Sequence, residues 1–364
     1  MTISEVSEIL DGLAPLHHAE DFDNVGLLVG NPKENVKGIL VTLDTLENVV
    51  DEAIDKGCNL IVSFHPIVFK GLKRFIGANY VERAVMKAIT KNIAIYSMHT
   101  ALDNSRLGVN AKICEVLGLE NTQIMIPKKG TIKKLVTYVP KDKLDEVRQA
   151  LFNVGAGSIG NYDNCSFNID GLGSFRPGQN STPTIGEQGK VHFEKEVQLN
   201  MLFDAAMEKR VVKAMYGAHP YEEIAYEITT LENPNQHIGM GMVGDLSNDM
   251  DESDFLEFLK LKMNAQVVRH SQLMGKRVRR IAVLGGSGAF AIAAAKKAKA
   301  DVYVTADVKY HQFFEAEGEL VIADIGHFET EQFTKNLLVD FLKEKIPNFA
   351  VTLSESITNP IKYF

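Results

Sequence analysis

The chain has 364 residues, which suggests about two and a half domains at roughly 150 residues each. With 45% hydrophobic residues, 24% charged residues and 11 prolines, the composition is typical of a globular protein and excludes a disordered or collagen-like chain. The net charge of -8 argues against a broad nucleic-acid interface, although a local basic pocket for a phosphorylated ligand stays open.

The first third of the chain alternates short apolar strands with amphipathic helices. A helix is predicted from Ser4 to Leu13, and Pro15 ends it. The next predicted elements are strand GLLVG, strand KGILVTLD, helix LENVVDEAIDKG, strand NLIVSF, helix VERAVMKAITKN, strand IAIYSMH and helix GVNAKICEVLG. Short Val/Ile/Leu runs between such helices predict a mainly parallel sheet covered by helices, which is an α/β architecture.

A different order of elements is predicted between Lys128 and Leu231. It reads strand TIKKLVTYVP, helix KDKLDEVRQALFNVG, strand NYDNCSFNI, strand FEKEVQLNMLF, helix AAMEKRVVKAMYG and strand YEEIAYEITTL. This βαββαβ order is that of ferredoxin-like folds. The Gly/Ser/Pro-rich segment GLGSFRPGQNSTPTIGEQGK is predicted to connect the two middle strands, and linkers are predicted at Pro127 and at NPNQ, residues 233–236.

The last part of the chain returns to the α/β alternation, in the segments RIAVLGG, GAFAIAAAKKAKA, DVYVTAD, HQFFEAEG, LVIADIG, TEQFTKNLLVDFLKEK and FAVTLSES. We therefore predict two similar α/β halves, residues 1–127 and 236–364, that form one layered core. Residues 128–235 are predicted to be an inserted ferredoxin-like domain.

Cysteine usage and hydropathy favour a cytoplasmic location. Cys58, Cys114 and Cys165 lie far apart without a CxxC pair, which argues against a disulfide framework and against a thiolate zinc site. The acidic, amphipathic N-terminus does not resemble a signal peptide. No apolar stretch approaches the roughly 20 residues that cross a bilayer, so no membrane partner is expected.

Metal-ligand residue types follow three predicted strands, at the end where open α/β sheets place their sites. NLIVSF leads to His65, IAIYSM leads to His99 and Asp103, and LVIADIG leads to His327 and Glu331. If a helix begins at His327, Glu331 lies on the same face four residues later and can share a metal with it. A lone histidine after a strand is more often a surface or capping residue, so the prediction depends on the convergence of the three segments. Imidazole and carboxylate ligands suit zinc, iron, manganese or nickel.

Three further segments are weaker candidates. The run GGSG at residues 285–288 lacks the lysine of a P-loop, so tight strand-to-helix packing is favoured there, with Ser287 kept as a pocket candidate. Asp307, Lys309, Tyr310 and His311 form a polar run after DVYVTA, for which a place in the pocket is favoured over a solvated surface; Lys309 and His311 are the phosphate-binding candidates in it. In the middle domain, His219 begins the run HPYEE, where a structural histidine is favoured over a ligand.

Several separated motifs together resemble those of the NIF-three-like family, the GTP cyclohydrolase I type 2 homologues. They are DFDNVG near the start, His65-Pro66, HTALDN, VLGGSGAF, DVYVTADVKYH and DIGHFETE, in the same order as in the family. The middle domain, with FRPG and AHPYEE, is similar to the PII/CutA-like module that long bacterial members carry between their halves.

The resemblance implies a two-metal centre in a ring-shaped homohexamer. For this chain we expect one or two divalent metal ions per subunit, zinc, iron or manganese. Carried over, the ligands are His65, Asp103, His327 and Glu331, with Glu331 a candidate bridge. Phe64 stands where many members have the first His of a pair, so one metal position is expected to be weaker, differently coordinated or empty. Phe22 replaces the usual Trp before Asp23, whereas Asn24 is retained as a pocket candidate.

Two functions from different classes remain open. The first is a metal-dependent hydrolase of a nucleotide or related heterocycle, in which His99 and Glu331 are catalytic; the family name implies opening of the GTP imidazole ring with release of formate. His99 is equally well interpreted as a hydrogen-bonded residue behind the ligands. The second is a non-catalytic metal-binding or regulatory hexamer whose inserted module senses a small ligand, and the absence of the first His at Phe64 favours it. An oligomeric scaffold is a third alternative.

Overall fold

The computed structural model describes the whole chain, residues 1–364, and divides it into two compact units. The first, called the core unit below, consists of Met1–Pro127 and Gln236–Phe364, and the second, the inserted unit, is Lys128–Asn235. None of the helices combines the length and the apolar character that a membrane span requires.

Before the insertion, the elements are α1 (Ile3–Asp11), β1 (Gly26–Val29), β2 (Ile39–Thr42), α2 (Glu47–Asp55), β3 (Leu60–Ser63), α3 (Tyr80–Thr90), β4 (Ala94–Ser97), α4 (His99–Asp103), α5 (Val109–Leu117) and β5 (Glu120–Lys128). The inserted unit contains β6 (Ile132–Pro140), α6 (Leu144–Asn153), β7 (Phe167–Phe175), β8 (His192–Asp204), α7 (Glu208–Ala218) and β9 (Tyr226–Leu231).

After the insertion follow β10 (Asn235–Asp251), α8 (Glu252–Lys262), β11 (Arg269–His270), β12 (Arg277–Ser287), α9 (Ile292–Lys297), β13 (Val302–Ala306), β14 (Val321–Asp324), α10 (His327–Glu331), α11 (Thr334–Lys345) and β15 (Val351–Leu353). Short 3-10 segments occur at Leu16–His18, Lys141–Lys143, Ala205–Met207, Ala289–Ala291 and Tyr310–Ala316.

Two sheets form the core unit, and each contains a strand from the other half of the sequence. The five-stranded sheet has the order β1-β4-β3-β2-β15, so the last strand of the chain pairs with β2 from the first half. The six-stranded sheet has the order β11-β14-β13-β12-β10-β5, so β5 from the first half completes the sheet of the second. The two halves exchange edge strands, which joins them into one folding unit.

Alternating residues of the strands face two different cores. Ile39 and Val41 of β2 belong to a large central core, which also takes in residues of β12 to β14 and of helices α1, α5, α8 and α11. Leu40, between them, belongs to an outer core under α2 and α3. Because strand side chains alternate with period two, the buried strands carry apolar residues on both faces and cover both layers.

In the inserted unit, the strand order is β7-β8-β6-β9, and all three pairings are antiparallel. Helices α6 and α7 pack on one face of this sheet, over a small core that includes Leu135, Leu199 and Met201. The other face carries the intervening residues of the same strands, among them Glu196 and Tyr138. This face therefore has no helix of the inserted unit packed against it.

Some predicted elements differ from the structure. The strand predicted at residues 161–169 is found at Phe167–Phe175, because the run after Ile169 pairs with β8 although it contains two glycines. The strand predicted at residues 221–231 begins only at Tyr226, and the predicted linker at 233–236 already enters the long strand β10. The six-stranded sheet is mixed rather than mainly parallel, since β10 and β11 pair antiparallel with β12 and β14.

Candidate metal centre

His65 follows strand β3, and its ring orientation is fixed by a carboxylate. The Nδ1–H of His65 donates to Asp44 Oδ1 at 2.8 Å, and the second oxygen of Asp44 accepts from the Thr358 hydroxyl at 2.6 Å. Because Nδ1 is engaged, Nε2 is the nitrogen that faces the site, and it lies 3.1 Å from Glu331 Oε2. A carboxylate behind an imidazole is the usual arrangement at histidine metal ligands.

His327 has the same arrangement on the other sheet. Its Nδ1–H donates to Asp307 Oδ2 at 2.7 Å, and the Ser287 hydroxyl donates to the same oxygen. Its Nε2 lies 3.2 Å from Glu331 Oε2, because α10 begins at His327 and places Glu331 one turn later. Two imidazoles from different sheets thus direct Nε2 at one carboxylate oxygen.

Glu331 is buried, with 4% of its side chain exposed, and Oε2 receives no hydrogen bond although two ring nitrogens lie close to it. Its other oxygen lies over Gly286, where an added Cβ would come within 2.4 Å of Oε1. Gly286 also has φ +69°, a left-handed conformation that favours glycine. The absence of a side chain at Gly286 therefore provides the space that this carboxylate occupies. Ser287, in the same GGSG segment, contacts the site through Asp307.

Asp103 ends helix α4, and its carboxyl group is adjacent to this cluster. Its Oδ1 is buried and has no hydrogen-bond partner. The ligand atoms of His65, His327 and Glu331 all lie within 4.8 Å of one another, and Asp103 is not a member of that tighter group. Burial, and then the charge of Glu331, raise the pKa of Asp103 well above its usual range. A nearby cation would reverse this shift.

The charges of His65, His327 and Glu331 depend on one another. Burial disfavours a charged imidazole, but the bond to Asp44 and the nearby Glu331 carboxylate raise the pKa of His65 to about 10. Burial is outweighed in the same way at His327, where Glu331 and Asp307 raise the pKa to about 9. At Glu331 burial opposes ionisation, yet the two imidazoles lower the pKa to about 2. A metal ion that binds here must displace imidazole protons.

His99 lies beside the cluster on a strained backbone. Its φ of +24° is unusual for a residue other than glycine. The Nδ1–H donates to Asp23 Oδ1 at 2.8 Å, and the other oxygen of Asp23 accepts from the Thr100 amide at 3.0 Å and from the Thr100 hydroxyl at 2.5 Å. Burial raises the pKa of Asp23, but these bonds outweigh it and lower the value to about 2. The ring of His99 lies 5.4 Å from that of His65, centroid to centroid.

Phe64 is fully buried and packs against two of the histidines. Its ring centroid is 4.9 Å from that of His65 and 5.6 Å from that of His99. The side chain therefore supports the imidazoles from behind through van der Waals contact and offers no ligand atom.

Asp324 connects the two loops of the six-stranded sheet that carry Asp307 and His327. Its Oδ2 accepts from the Val308 amide at 2.9 Å, and its Oδ1 accepts from the Gly326 amide at 3.1 Å. Arg269 forms an ion pair with Asp324 at 3.1 Å. The two amides lie next to Asp307 and His327, so this buried carboxylate holds both loops in register.

The other predicted pocket residues lie apart from the cluster. Asn24 donates from Nδ2 to the Val68 carbonyl at 2.5 Å and so ties the loop after His65 to the loop before β1. Lys309 and His311 are exposed at the beginning of the 3-10 segment Tyr310–Ala316 and make no contact with the cluster.

Three aspartates were not assigned a role from the sequence, namely Asp23, Asp44 and Asp307. Asp44 and Asp307 each come shortly after a buried strand, as the predicted ligands do. An aspartate at the carboxyl end of a strand, next to strands that end in histidine, was the signal that could have identified them.

The Duf34/NIF3 (NGG1p interacting factor 3) family model matches residues 1–360. The chain belongs to the Duf34/NIF3 family. The resemblance predicted from the motifs is thereby confirmed. A Bacillus subtilis protein named GTP cyclohydrolase 1 type 2 homolog is 37% identical over 364 residues, which are 99% of this chain and 98% of that protein. A Staphylococcus epidermidis protein of the same name is 33% identical, with complete coverage of both chains.

Solved structures of Duf34/NIF3 relatives have the same fold. A Bacillus cereus protein related to NIF3 superimposes with a TM-score of 0.85 at 36% identity, over 100% of this chain and 99% of that one. A Staphylococcus aureus protein superimposes with a TM-score of 0.81 at 31% identity, with the same coverage. The chain therefore shares its fold with these two proteins over its whole length.

Proposed function

We propose that this Duf34/NIF3 protein binds one or two divalent cations through His65, His327, Glu331 and Asp103. We further propose that the loaded centre hydrolyses a nucleotide or a related heterocycle. The observation that carries the proposal is the position of Glu331 Oε2, which is buried with the Nε2 atoms of two imidazoles from different sheets directed at it at 3.1 and 3.2 Å, neither of them in a regular hydrogen bond. Three potential ligand atoms thus converge on one buried point, where a divalent cation would take the place of the imidazole protons.

The donor set fits such a cation. Asp103 Oδ1 is a second buried oxygen without a partner beside the same cluster. The Nδ1 atoms of His65 and His327 are held by Asp44 and Asp307, so each ring presents only Nε2. Two imidazoles and two carboxylates suit zinc, iron or manganese. Phe64 adds no ligand atom, so if two metal ions bind, we expect one of them to bind more weakly than the other.

A divalent ion held here would supply a water of lowered pKa and a positive charge for the developing negative charge of a hydrolytic transition state. His99 is placed to hold or move a proton at Nε2, because Asp23 holds its Nδ1–H. The ring of His99 borders the cluster, since its centroid lies 5.4 Å from that of His65. Asp44 and Asp307 keep the two ligand rings oriented.

The curated relatives carry the name GTP cyclohydrolase 1 type 2 homolog. From this name we propose GTP as the first substrate to test, with one water adding to carbon eight and opening the imidazole ring to a formamide, and a second water releasing that carbon as formate. We also propose that the inserted unit, with its βαββαβ order, is a ferredoxin-like module of the PII/CutA type and that the chain assembles into a ring-shaped homohexamer. Light scattering of the purified protein measures the assembly.

The test of the metal centre is Glu331→Gln, which keeps the shape of the side chain and removes its charge. We expect the metal content of the purified variant, measured by mass spectrometry after aerobic and after anaerobic preparation, to fall by at least about tenfold. Glu329→Gln is the matched control, because Glu329 is also buried in α10 but accepts a bond from Asn359 and faces away from the imidazoles. Unchanged metal content in Glu331→Gln would contradict the proposal.

A screen of nucleotides with formate release as the readout then tests hydrolysis by the metal-loaded protein. Turnover that disappears in Asp103→Ala, and falls in His99→Gln without loss of metal, is the expected result. Metal binding without turnover on any nucleotide would favour the second candidate, a regulatory metal-binding protein. Phe64 is the observation that favours that candidate, since it fills a family ligand position with a buried hydrocarbon ring.

A further inference from the structure

The inserted unit contains a cavity of about 430 Å³ that is separate from the metal centre. It lies where β7 and β8 meet the segment 176–185 and the turn before β9. Its volume is within the range of about 300 to 1,000 Å³ that small-molecule sites occupy. The run HPYEE contributes to its wall, and its first residue, His219, was interpreted from the sequence as structural. The Nε2–H of His219 donates to the Tyr138 carbonyl at 3.0 Å, and its Nδ1 accepts from the Tyr221 amide at 3.2 Å.

A carboxylate forms the floor of the cavity. Glu196 lies on the face of the sheet opposite to α6 and α7, because Leu199 and Met201 of the same strand point into the core under those helices and strand side chains alternate. The Tyr221 hydroxyl donates to Glu196 Oε1 at 2.8 Å. Burial, together with this bond, raises the pKa of Tyr221, so the phenol stays a donor at physiological pH. The second oxygen of Glu196 lies over Gly173, where an added Cβ would come within 1.9 Å of it.

Aromatic rings and further carboxylates form the walls. Tyr138, Phe175 and Tyr221 line the cavity, and the ring centroids of the last two are 5.8 Å apart. The charged lining residues are Glu196, Glu222 and Glu223 against one cation, Arg176. An ammonium group is attracted both by the faces of aromatic rings and by a carboxylate beside them. Net negative charge and aromatic walls together favour a cation over an anion.

We propose that this cavity binds a small organic cation, an amine with an apolar body, whose ammonium group contacts Glu196 between the rings of Tyr138, Phe175 and Tyr221. The apolar body would lie against Phe175 and the proline-containing segment 176–185. The Tyr221 hydroxyl holds one oxygen of Glu196, which leaves the other oxygen for the ligand. Gly173 is the residue that makes room for that oxygen.

The experiment is calorimetric titration of the full-length protein with three probes that share a phenyl body: phenethylamine, phenethyl alcohol and phenylacetate. We expect phenethylamine to bind at least about tenfold more tightly than the neutral and the anionic probe. Glu196→Gln should weaken phenethylamine about tenfold, and Gly173→Ala should do the same by pushing the carboxylate aside. Tyr221→Phe keeps the ring and removes only the donor, so its effect should be smaller.

The control is Glu194→Gln on the same strand and the same face, because Glu194 pairs with His192 and does not line the cavity. Circular dichroism and thermal unfolding establish that each variant is folded. Tighter binding of phenylacetate than of phenethylamine would overturn the proposal, since Arg176 would then be the anchor. Phenethylamine binding that is unchanged in Glu196→Gln, or absent up to about 5 mM in the unmodified protein, would also overturn it.

Discussion

The core unit and the inserted unit each place a carboxylate directly over a glycine. In the core unit, a Cβ on Gly286 would approach Glu331 Oε1 to 2.4 Å, and in the inserted unit a Cβ on Gly173 would approach Glu196 Oε2 to 1.9 Å. The surroundings of the two carboxylates differ. Glu331 lies between two imidazole nitrogens, whereas Glu196 lies among aromatic rings with a phenol as its donor.

The two glycines also differ in conformation. Gly286 has φ +69°, so the chain needs glycine there both for its backbone and for the space it leaves. Gly173 lies within strand β7, in extended backbone that any residue adopts, and is needed only for space. A carboxylate fixed among imidazoles suits a metal ion, which demands defined ligand positions. A carboxylate at the floor of an aromatic cavity suits an organic ligand, which tolerates adjustment.

Gly286→Ala and Gly173→Ala form the pair that tests this comparison most strongly. The first substitution strains the backbone by roughly 1 to 2 kcal/mol and displaces the Glu331 carboxylate. We expect Gly286→Ala to lower the thermal unfolding temperature by several degrees and to reduce metal affinity by about a hundredfold. Gly173→Ala should leave metal affinity unchanged and change stability by less than about 0.5 kcal/mol.

Calorimetric unfolding and metal titration of both variants measure these effects. Equal loss of metal in the two variants would contradict the assignment of the two glycines to independent sites. Retention of metal in Gly286→Ala would show that the position of the Glu331 carboxylate does not depend on the space above Gly286.

Asp44→Asn and Asp307→Asn test whether the carboxylates behind the imidazoles orient the ligands. Asparagine can donate as well as accept, so it no longer fixes the tautomer that presents Nε2. Asp307 has φ +56°, a conformation that asparagine tolerates, so the substitution leaves the backbone in place. We expect each variant to lose about 10- to 100-fold in metal affinity without loss of fold.

The control for this pair is Asp51→Asn, because Asp51 is exposed on α2 and pairs only with Lys87. Titration with zinc and with manganese in a competing chelator measures the affinities. If both variants bind metal as the unmodified protein does, Asp44 and Asp307 are structural acceptors, and His65 and His327 are held by packing instead.

Most strands of the core unit, and the residues that meet in the candidate metal cluster, could be predicted from the sequence because both follow local patterns. Short apolar runs followed by His65, His99 and His327 identified the strand ends, and the spacing of His327 and Glu331 identified the short helix that joins them. The roles of Asp44 and Thr358 depend on a contact over more than 300 residues between the C-terminal segment and β2. No local pattern reports such a contact.

The strand β10 and the cavity of the inserted unit could not be predicted for related reasons. Strand β10 contains three glycines and several polar residues, so its pairing with β12 is decided by tertiary contacts rather than by β propensity. The cavity depends on Gly173, which lies in a glycine-containing run that was predicted to be a loop. Pairing with β8 converts that run into a strand and places Gly173 beside Glu196.

Substitution of Glu52 is expected to have the smallest effect. It tests the stability of the core unit independently of metal binding. It lies on α2 and accepts from the Ser354 hydroxyl at 2.6 Å and from the amides of Glu355 and Ser356 at 2.8 and 3.1 Å. These bonds anchor the C-terminal segment that reaches Asp44 through Thr358. Burial opposes ionisation of Glu52, but the bonds outweigh it and lower the pKa from 4.5 to about 2.

A pKa that is lower in the folded state contributes stability above the unfolded value and loses that contribution as pH falls toward the folded value. We therefore expect Glu52→Gln to destabilise the core unit by about 1 to 2 kcal/mol at pH 7, or a few degrees in unfolding temperature. The difference in unfolding free energy from the unmodified protein should shrink between pH 4.5 and pH 2.

Glu47→Gln is the control on the same helix, where the exposed pair with Arg83 contributes little to stability. A destabilisation that stays constant with pH would mean that Glu52 acts through packing alone, and the C-terminal segment would then not depend on its charge.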